Sequence, residues 1–188
     1  CVFATAPLLN GAHVTGSLSF PDCALPGLQA EGLRVDGELA FNAGCSLHGE
    51  LRLTRAQIGR DLNCERMQQR PSTKFSGTLP CRFIADGAQI GGDLNMSGGV
   101  DALGELRLRG MQVHGDLRAS GARLAAELDP SGARGVALNL DRAHIGGQLL
   151  LDAGFSAAGQ VRLQRAQIGG DLDATGACLA VPLPFIDG

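Results

Sequence analysis

The sequence predicts an all-β chain wound as a parallel β-helix, a solenoid of about seven coils, and three observations lead there. A pattern of the form L-x-L-x-x-A-x-I-x-G-[DE]-L recurs seven times in 188 residues. Within each copy the apolar positions fall two apart, which is strand periodicity with the intervening side chains facing water. The 28 Gly recur at fixed points inside the copies, where a helix would lose stability. A fixed period marks coils that cannot bury a core alone and must stack.

The clearest copies run from Leu51 to Leu62 (LRLTRAQIGRDL), Phe83 to Leu94 (FIADGAQIGGDL), Leu106 to Leu117 (LRLRGMQVHGDL), Leu138 to Leu149 (LNLDRAHIGGQL) and Val161 to Leu172 (VRLQRAQIGGDL). Weaker copies begin at Pro7 and Leu28. Successive starts at 7, 28, 51, 83, 106, 138 and 161 are separated by 21, 23, 32, 23, 32 and 23 residues. From Leu28 onward each copy returns 55 residues later, as in 28 to 83 and 51 to 106, so a short coil alternates with a long one. The extra residues, around MQQRPSTKFSG and AAELDPSGARG, are rich in Gly, Pro, Ser and charge and read as loops leaving one corner of alternate coils.

Two inward columns follow from the phase. One holds Val14, Val35, Ile58, Ile90, Val113, Ile145 and Ile168; the other holds Leu18, Leu39, Leu62, Leu94, Leu117, Leu149 and Leu172. A third phase is almost all glycine: Gly16, Gly37, Gly92, Gly115, Gly147 and Gly170, broken by Arg60. Glycine there predicts a bend or a close backbone approach to the next coil. With no Trp or Tyr and seven Phe, the interior is expected to be aliphatic with little room for large rings. Stacked strands lie about 4.8 Å apart, so seven coils predict a rod of about 30–35 Å, right-handed and without an internal domain boundary over residues 1–188.

Net charge of −3 and a pI near 5.8 point away from nucleic acid. No run of 18 apolar residues exists, so no transmembrane segment is expected. The six Cys form no C-x-x-C pair and no zinc spacing with the four His. They are expected to be buried free thiols of a reducing compartment, with Cys45 and Cys178 sharing the phase of Val100 and Phe155, and Cys64 that of Met96 and Leu151. A Cys64–Cys81 bridge across the first long loop is the alternative. The first residue is Cys and neither end reads as a polar cap, so the chain is expected to be a section of a longer array rather than one whose bare ends meet other copies.

Outward phases form ladders. One reads Ser17, Glu38, Asp61, Asp93, Asp116, Gln148, Asp171; another reads His13, Arg34, Gln57, Gln89, Gln112, His144, Gln167. Basic residues recur at Arg52, Arg107 and Arg162, and at Arg55, Arg142 and Arg165. Outward residues must be hydrophilic in any solenoid, and neighbouring Arg and Gln ladders offset like charges. The candidate contact surface is nonetheless Glu38, Asp61, Asp93, Asp116 and Asp171 with Gln57, Gln89, Gln112 and Gln167. No metal or cofactor site is expected. A polysaccharide lyase or hydrolase using Asp61, Asp93 and Asp116 is the alternative, but these lie in a regular ladder, whereas active sites break a repeat. The long loops offer Glu65, Arg66 and Lys74, or Glu127, Asp129 and Arg134, without a matched pair. The I-G pairs recur too far apart for a hexapeptide acyltransferase, and no helix follows them to make a phosphate loop. A nucleic-acid mimic of the pentapeptide-repeat kind is disfavoured by near-balanced charge and by a unit that is not five residues long.

The stretch from Ala137 to Leu179, through its A-L-N-x-D-R, I-G-G-[DQ]-L, G-[EQ]-[LV]-R-L and G-A-x-L segments, resembles uncharacterised bacterial β-helical repeat proteins often labelled membrane-associated oxidoreductases. More distantly the pattern is similar to bactofilins, parallel β-helices that polymerise end to end as bacterial scaffolds; the 23/32 alternation departs from them. The oxidoreductase label finds no dinucleotide fingerprint, flavin site, haem motif or redox Cys pair here. What the residues and the resemblance together imply is a non-enzymatic structural or protein-interaction scaffold. It is expected to self-associate through coil ends, in the cytoplasm or against the inner face of a bacterial membrane.

Overall fold

The computed structural model describes residues 1–41, 44–69, 82–126 and 135–179. The two long corner loops fall largely outside these residues, as do Lys74, Cys81, Glu127, Asp129 and Arg134. The described chain is a parallel β-helix with four faces, each a parallel sheet of six or seven very short strands. Among the described residues there is no helix, and so none long and apolar enough to cross a membrane.

The first face stacks His13–Val14, Arg34–Val35, Gln57–Ile58, Gln89–Ile90, Gln112–Val113, His144–Ile145 and Gln167–Ile168 in register. Its outer members are the glutamine ladder and its inner members the expected Val/Ile column. The second face stacks Leu18–Ser19, Leu39–Ala40, Leu62–Asn63, Leu94–Asn95, Leu117–Arg118, Leu149–Leu150 and Leu172–Asp173, with the leucines inside. Both columns are buried through the middle coils and open up at Val14, Leu18, Ile168 and Leu172 in the end coils. A third face runs from Ala24–Leu25 through Ser46–Leu47 and Arg123–Ala125 to Ser156–Ala158. A fourth runs from Leu28–Gln29 through Leu51–Arg52 and Leu106–Arg107 to Gln160–Arg162.

Each letter of the repeat now has a physical task. In the copy starting at Leu51, Leu51 and Leu53 point inward on the fourth face, and Thr54-Arg55 turn a corner. The turn is closed by the Ala56 N–H donating to Leu53 O at 3.0 Å. Ala56 and Ile58 line the interior of the first face, Gly59 to Asp61 turn the next corner, and Leu62 starts the second face. Strands of one coil begin at 34, 39, 46, 51 and 57, so a side takes five to seven residues and the twelve-residue motif spans three faces.

Two expectations need correction. The interior does admit rings: Phe41, Phe83 and Phe155 are fully buried, and Phe20 stacks on Phe41 with centroids 5.4 Å apart and planes 8° from parallel. A flat ring lying across the coil takes up little more than one coil spacing, so rings stack as aliphatic rungs do. Cys45 does share the inward phase of Val100 and Phe155, but Cys178 does not. Cys178 pairs with Ser156 at the outward phase and is exposed, because the step from the second face to the third alternates between six residues (62 to 68, 117 to 123) and seven (94 to 101, 149 to 156), and Cys178 follows a six-residue step from Leu172.

Cys23, Cys45 and Cys64 are buried free thiols. Burial pushes the Cys45 thiol up to about 12, with the neighbouring Cys23 adding to it. Burial raises Cys64 too, with Cys45 adding. Both therefore stay neutral in the folded chain near neutral pH, and native protein is expected to alkylate at Cys1 and Cys178 while Cys23, Cys45 and Cys64 react only after unfolding. An acid whose folded pKa is raised leaves stability alone below its unfolded value and erodes it above, because the unfolded chain releases a proton the folded chain keeps. Stability is thus expected to fall as pH climbs past 9.0, by about 1.4 kcal/mol per pH unit for each thiol. A urea midpoint that does not move between pH 9 and pH 11 contradicts this.

The two sides of one strand should also respond differently. Ile145→Ala empties a site with no solvent exposure and is expected to cost about 2–5 kcal/mol. His144→Ala, facing water on the same strand, is expected to stay within about 0.5 kcal/mol. Equal effects in chemical denaturation contradict the stacking direction.

Candidate functional site

At a corner the backbone N–H groups leave the sheets and need other acceptors. The acidic column supplies them at the corner between the first and second faces. The Asp93 N–H donates to Asp61 Oδ1, the Asp116 N–H to Asp93 Oδ1 and the Gln148 N–H to Asp116 Oδ1, each at 2.8 Å. Two coils below Asp61, Ser17 Oγ accepts the Glu38 N–H at 3.1 Å. Each side chain therefore staples its own coil to the next. The remaining oxygens are also engaged: Arg118 places Nη1 2.7 Å from Asp93 Oδ2 and Nη2 2.7 Å from Asp116 Oδ2.

The staple explains the glycine column. A Cβ on Gly92, Gly115 or Gly147 would stand 2.0, 2.0 or 2.1 Å from the Oδ1 of Asp61, Asp93 or Asp116 beneath it. The same atom on Gly37 would stand 2.5 Å from Ser17 Oγ. Arg60, the break in the column, lies above Glu38, which places its carboxylate one methylene further out than Asp. A parallel arrangement serves the corner between the fourth and first faces. There Asn10, Asp86 and Asp141 accept the N–H groups of Glu31, Arg109 and Gln164 at 2.9, 3.1 and 2.9 Å.

Of the sequence-predicted surface, Asp61, Asp93 and Asp116 are thus half-buried parts of the stack, Glu38 is half-buried beside them and Asp171 is exposed in the last coil. Gln57, Gln89, Gln112 and Gln167 do form an exposed amide ladder on the first face, where Gln167 Oε1 lies 3.1 Å from His144 Nδ1.

Gln57 and Gln89 line an open notch of about 200 Å³ floored by Gly59 and Gly91, with Arg34 and Asp36 at one end and His114 at the other. The notch exists because the phase after the Val/Ile column carries Asp36, then two bare glycines, then His114. Those glycines are required by the stack, since a Cβ on either would meet the carbonyl of the coil below at 2.3 Å. Asp36 accepts from Arg34 Nε at 3.1 Å and lies 3.0 Å from His13 Nε2; the His13 hydrogen bond first, and Arg34 second, hold its carboxyl below the usual range. His114 Nδ1 lies 3.1 Å from Ile90 O, which can only accept, so Nδ1 carries the hydrogen and a neutral His114 offers Nε2 as an acceptor. Asp36 and His114 were absent from the predicted surface. The signal for them was present in the position after the Val/Ile column, where Thr15, Asp36 and His114 are the three non-glycine residues.

Among the described residues no group of three or more His, Cys, Asp or Glu could hold a metal ion. Comparison with family models, curated proteins and solved structures finds no match.

The staple predicts a measurable coupling. Asp93→Ala leaves the Asp116 amide without its acceptor and is expected to cost about 1–3 kcal/mol. Gly115→Ala forces a side chain onto the carboxylate and is expected to cost a similar amount. In the double variant the collision with Asp93 is gone, so the two costs should fall short of additivity by about 0.5–3 kcal/mol. Strict additivity in urea unfolding contradicts the interlock.

Proposed function

We propose that the chain is a non-enzymatic structural or protein-interaction scaffold that associates with further copies of itself through the ends of its coil stack. The observation that carries the reading is the engagement of the acidic column. The carboxylates best placed for acid–base or metal chemistry each accept a backbone amide from the next coil, and Arg118 neutralises the central pair. A carboxylate so held is a structural part, and this weighs against the carbohydrate-active alternative. The self-association part of the reading is supported by the parallel, in-register stacking of all four faces, a geometry that strands of another copy could continue. Because all strands run parallel, such stacking is head to tail and continues the four faces from copy to copy. The reading includes a reducing setting, cytoplasmic or against the inner face of a bacterial membrane, which the buried free thiols support.

Sedimentation velocity over a wide concentration range tests it. The expected result is a concentration-dependent series of species that shifts to smaller ones in Leu172→Lys. A single monomeric species throughout overturns self-association.

A further inference from the structure

The corner between the fourth and first faces carries an oddity in charge and in backbone together. Its turn places one residue per coil at positive φ. Four coils use Gly11, Gly32, Gly87 and Gly110, with φ between 62° and 65°. The other three use Arg55, Arg142 and Arg165, at 55°, 61° and 60°. A side chain in this conformation is strained relative to glycine, which every coil could use.

The same arginines also lack partners. Arg52, Arg107 and Arg162, on the adjoining fourth face, pair with Glu50, Asp86 and Asp141 at 2.7, 2.9 and 2.7 Å. Among the described residues Arg55, Arg142 and Arg165 make no ion pair, nor does Arg109 at the same corner, and all four are exposed. Arg142 and Arg165 occupy one phase of adjacent coils, about 4.8 Å apart at the backbone, where like charges repel. The corner thus holds its charge at two costs to the free chain. Between Arg55 and Arg142, Gly87 and Gly110 carry no side chain, and a Cβ added to Gly110 would meet nothing within 4 Å. The result is a bare strip of corner with a fixed cation at one end and a cluster at the other.

We propose that this corner is a docking track for an extended acidic segment of a protein partner, its carboxylates taken by Arg55, Arg109, Arg142 and Arg165. The proposal rests on the scaffold reading and names what one edge of that scaffold holds. Arginine offers a planar fork to discrete carboxylates. A nucleic-acid strand carries a phosphate at every step and must set some of them against Asp86 and Asp141, whereas an extended peptide can turn alternate side chains away from the corner.

The test uses fluorescence anisotropy of a labelled oligoglutamate peptide at low salt, with a labelled oligothymidylate of equal charge in parallel. The parent chain is expected to bind oligoglutamate more tightly than oligothymidylate. R142G/R165G should weaken oligoglutamate roughly tenfold or more. The same variant should raise Tm by about 2–4 °C, because glycine relieves the turn and the repulsion is gone. Unfolding therefore cannot account for the lost binding. R60Q/R66Q, with the same loss of charge at other corners, should bind as the parent does. Absence of oligoglutamate binding, unchanged affinity in R142G/R165G, an equal loss in R60Q/R66Q, or a preference for oligothymidylate each overturns the proposal. Sedimentation of R142G/R165G should match the parent, so that failure of the docking track and failure of self-association are read separately.

Discussion

Each coil turns a corner between every pair of faces, and at the corner between the first and second faces most amides still bond a neighbouring coil's backbone while one per coil, that of Asp93, Asp116 or Gln148, turns to a side-chain acceptor. An unsatisfied buried amide costs about as much as a lost hydrogen bond, and a solenoid repeats the same deficit coil after coil. At the corner between the first and second faces three middle coils meet it with one short carboxylate each, Asp61, Asp93 and Asp116, aimed upward at the next coil's amide. That solution works only if the residue above brings no Cβ, and the I-G-G-D-L motif is the linear record of the requirement. The first glycine passes over the carbonyl of the coil below, the second passes over its carboxylate, and the aspartate prepares the same contact for the coil above. Ser17 beneath Gly37 shows that any short acceptor suffices, and Glu38 beneath Arg60 that the glycine is relaxed where a longer side chain stands below.

The same constraint separates what could be read from the sequence from what could not. The Val/Ile and Leu columns were legible because inward positions are governed by one strong and simple preference, burial of apolar surface, repeated in every coil. The glycine phase was legible as a close approach. Its partner was not, since nothing in a one-dimensional pattern says that Asp61 lies under Gly92, 31 positions along the chain. The acidic ladder therefore looked like an outward surface when half of each carboxylate faces the stack. The four-sided cross-section was hidden for a related reason: the conserved-looking letters of each copy cover three faces, and the third face, with Ala24, Ser46, Gln68 and Asp101 outside, keeps no common residue type. Phe20 on Phe41 was missed because a ring was weighed by volume rather than by thickness across the coil.

Cys178 marks where the pattern itself fails. Counting six from the Leu column gives an inward residue at Cys45, Val100 and Phe155 but an outward one at Gln68, Arg123 and Cys178, because the turn into the third face is one residue shorter in alternate coils. Periodicity is an average over coils, and a single insertion or deletion in a turn moves everything up to the next corner. The third face follows a corner whose length alternates by one residue from coil to coil, and the two long stretches of chain come after it, before the fourth face. Register on the first face is secure for the opposite reason, because staples bracket it at both corners.

These differences divide the molecule into positions that must repeat and positions that are free to vary. Interior columns, glycines over carboxylates and the carboxylates themselves form one interdependent set, in which a change in one coil is felt in its neighbours. The position at positive φ on the corner between the fourth and first faces belongs to no such set. Nothing lies beneath it to collide with, and glycine is the least costly occupant in every coil, as four of the seven coils attest. An arginine there is therefore a departure from what the stack itself favours. Where a repeat relaxes toward neutral residues at its free positions, the occupants expected are small or uncharged. Three arginines in one free column, two of them on adjacent coils, are instead what the proposed docking track would require.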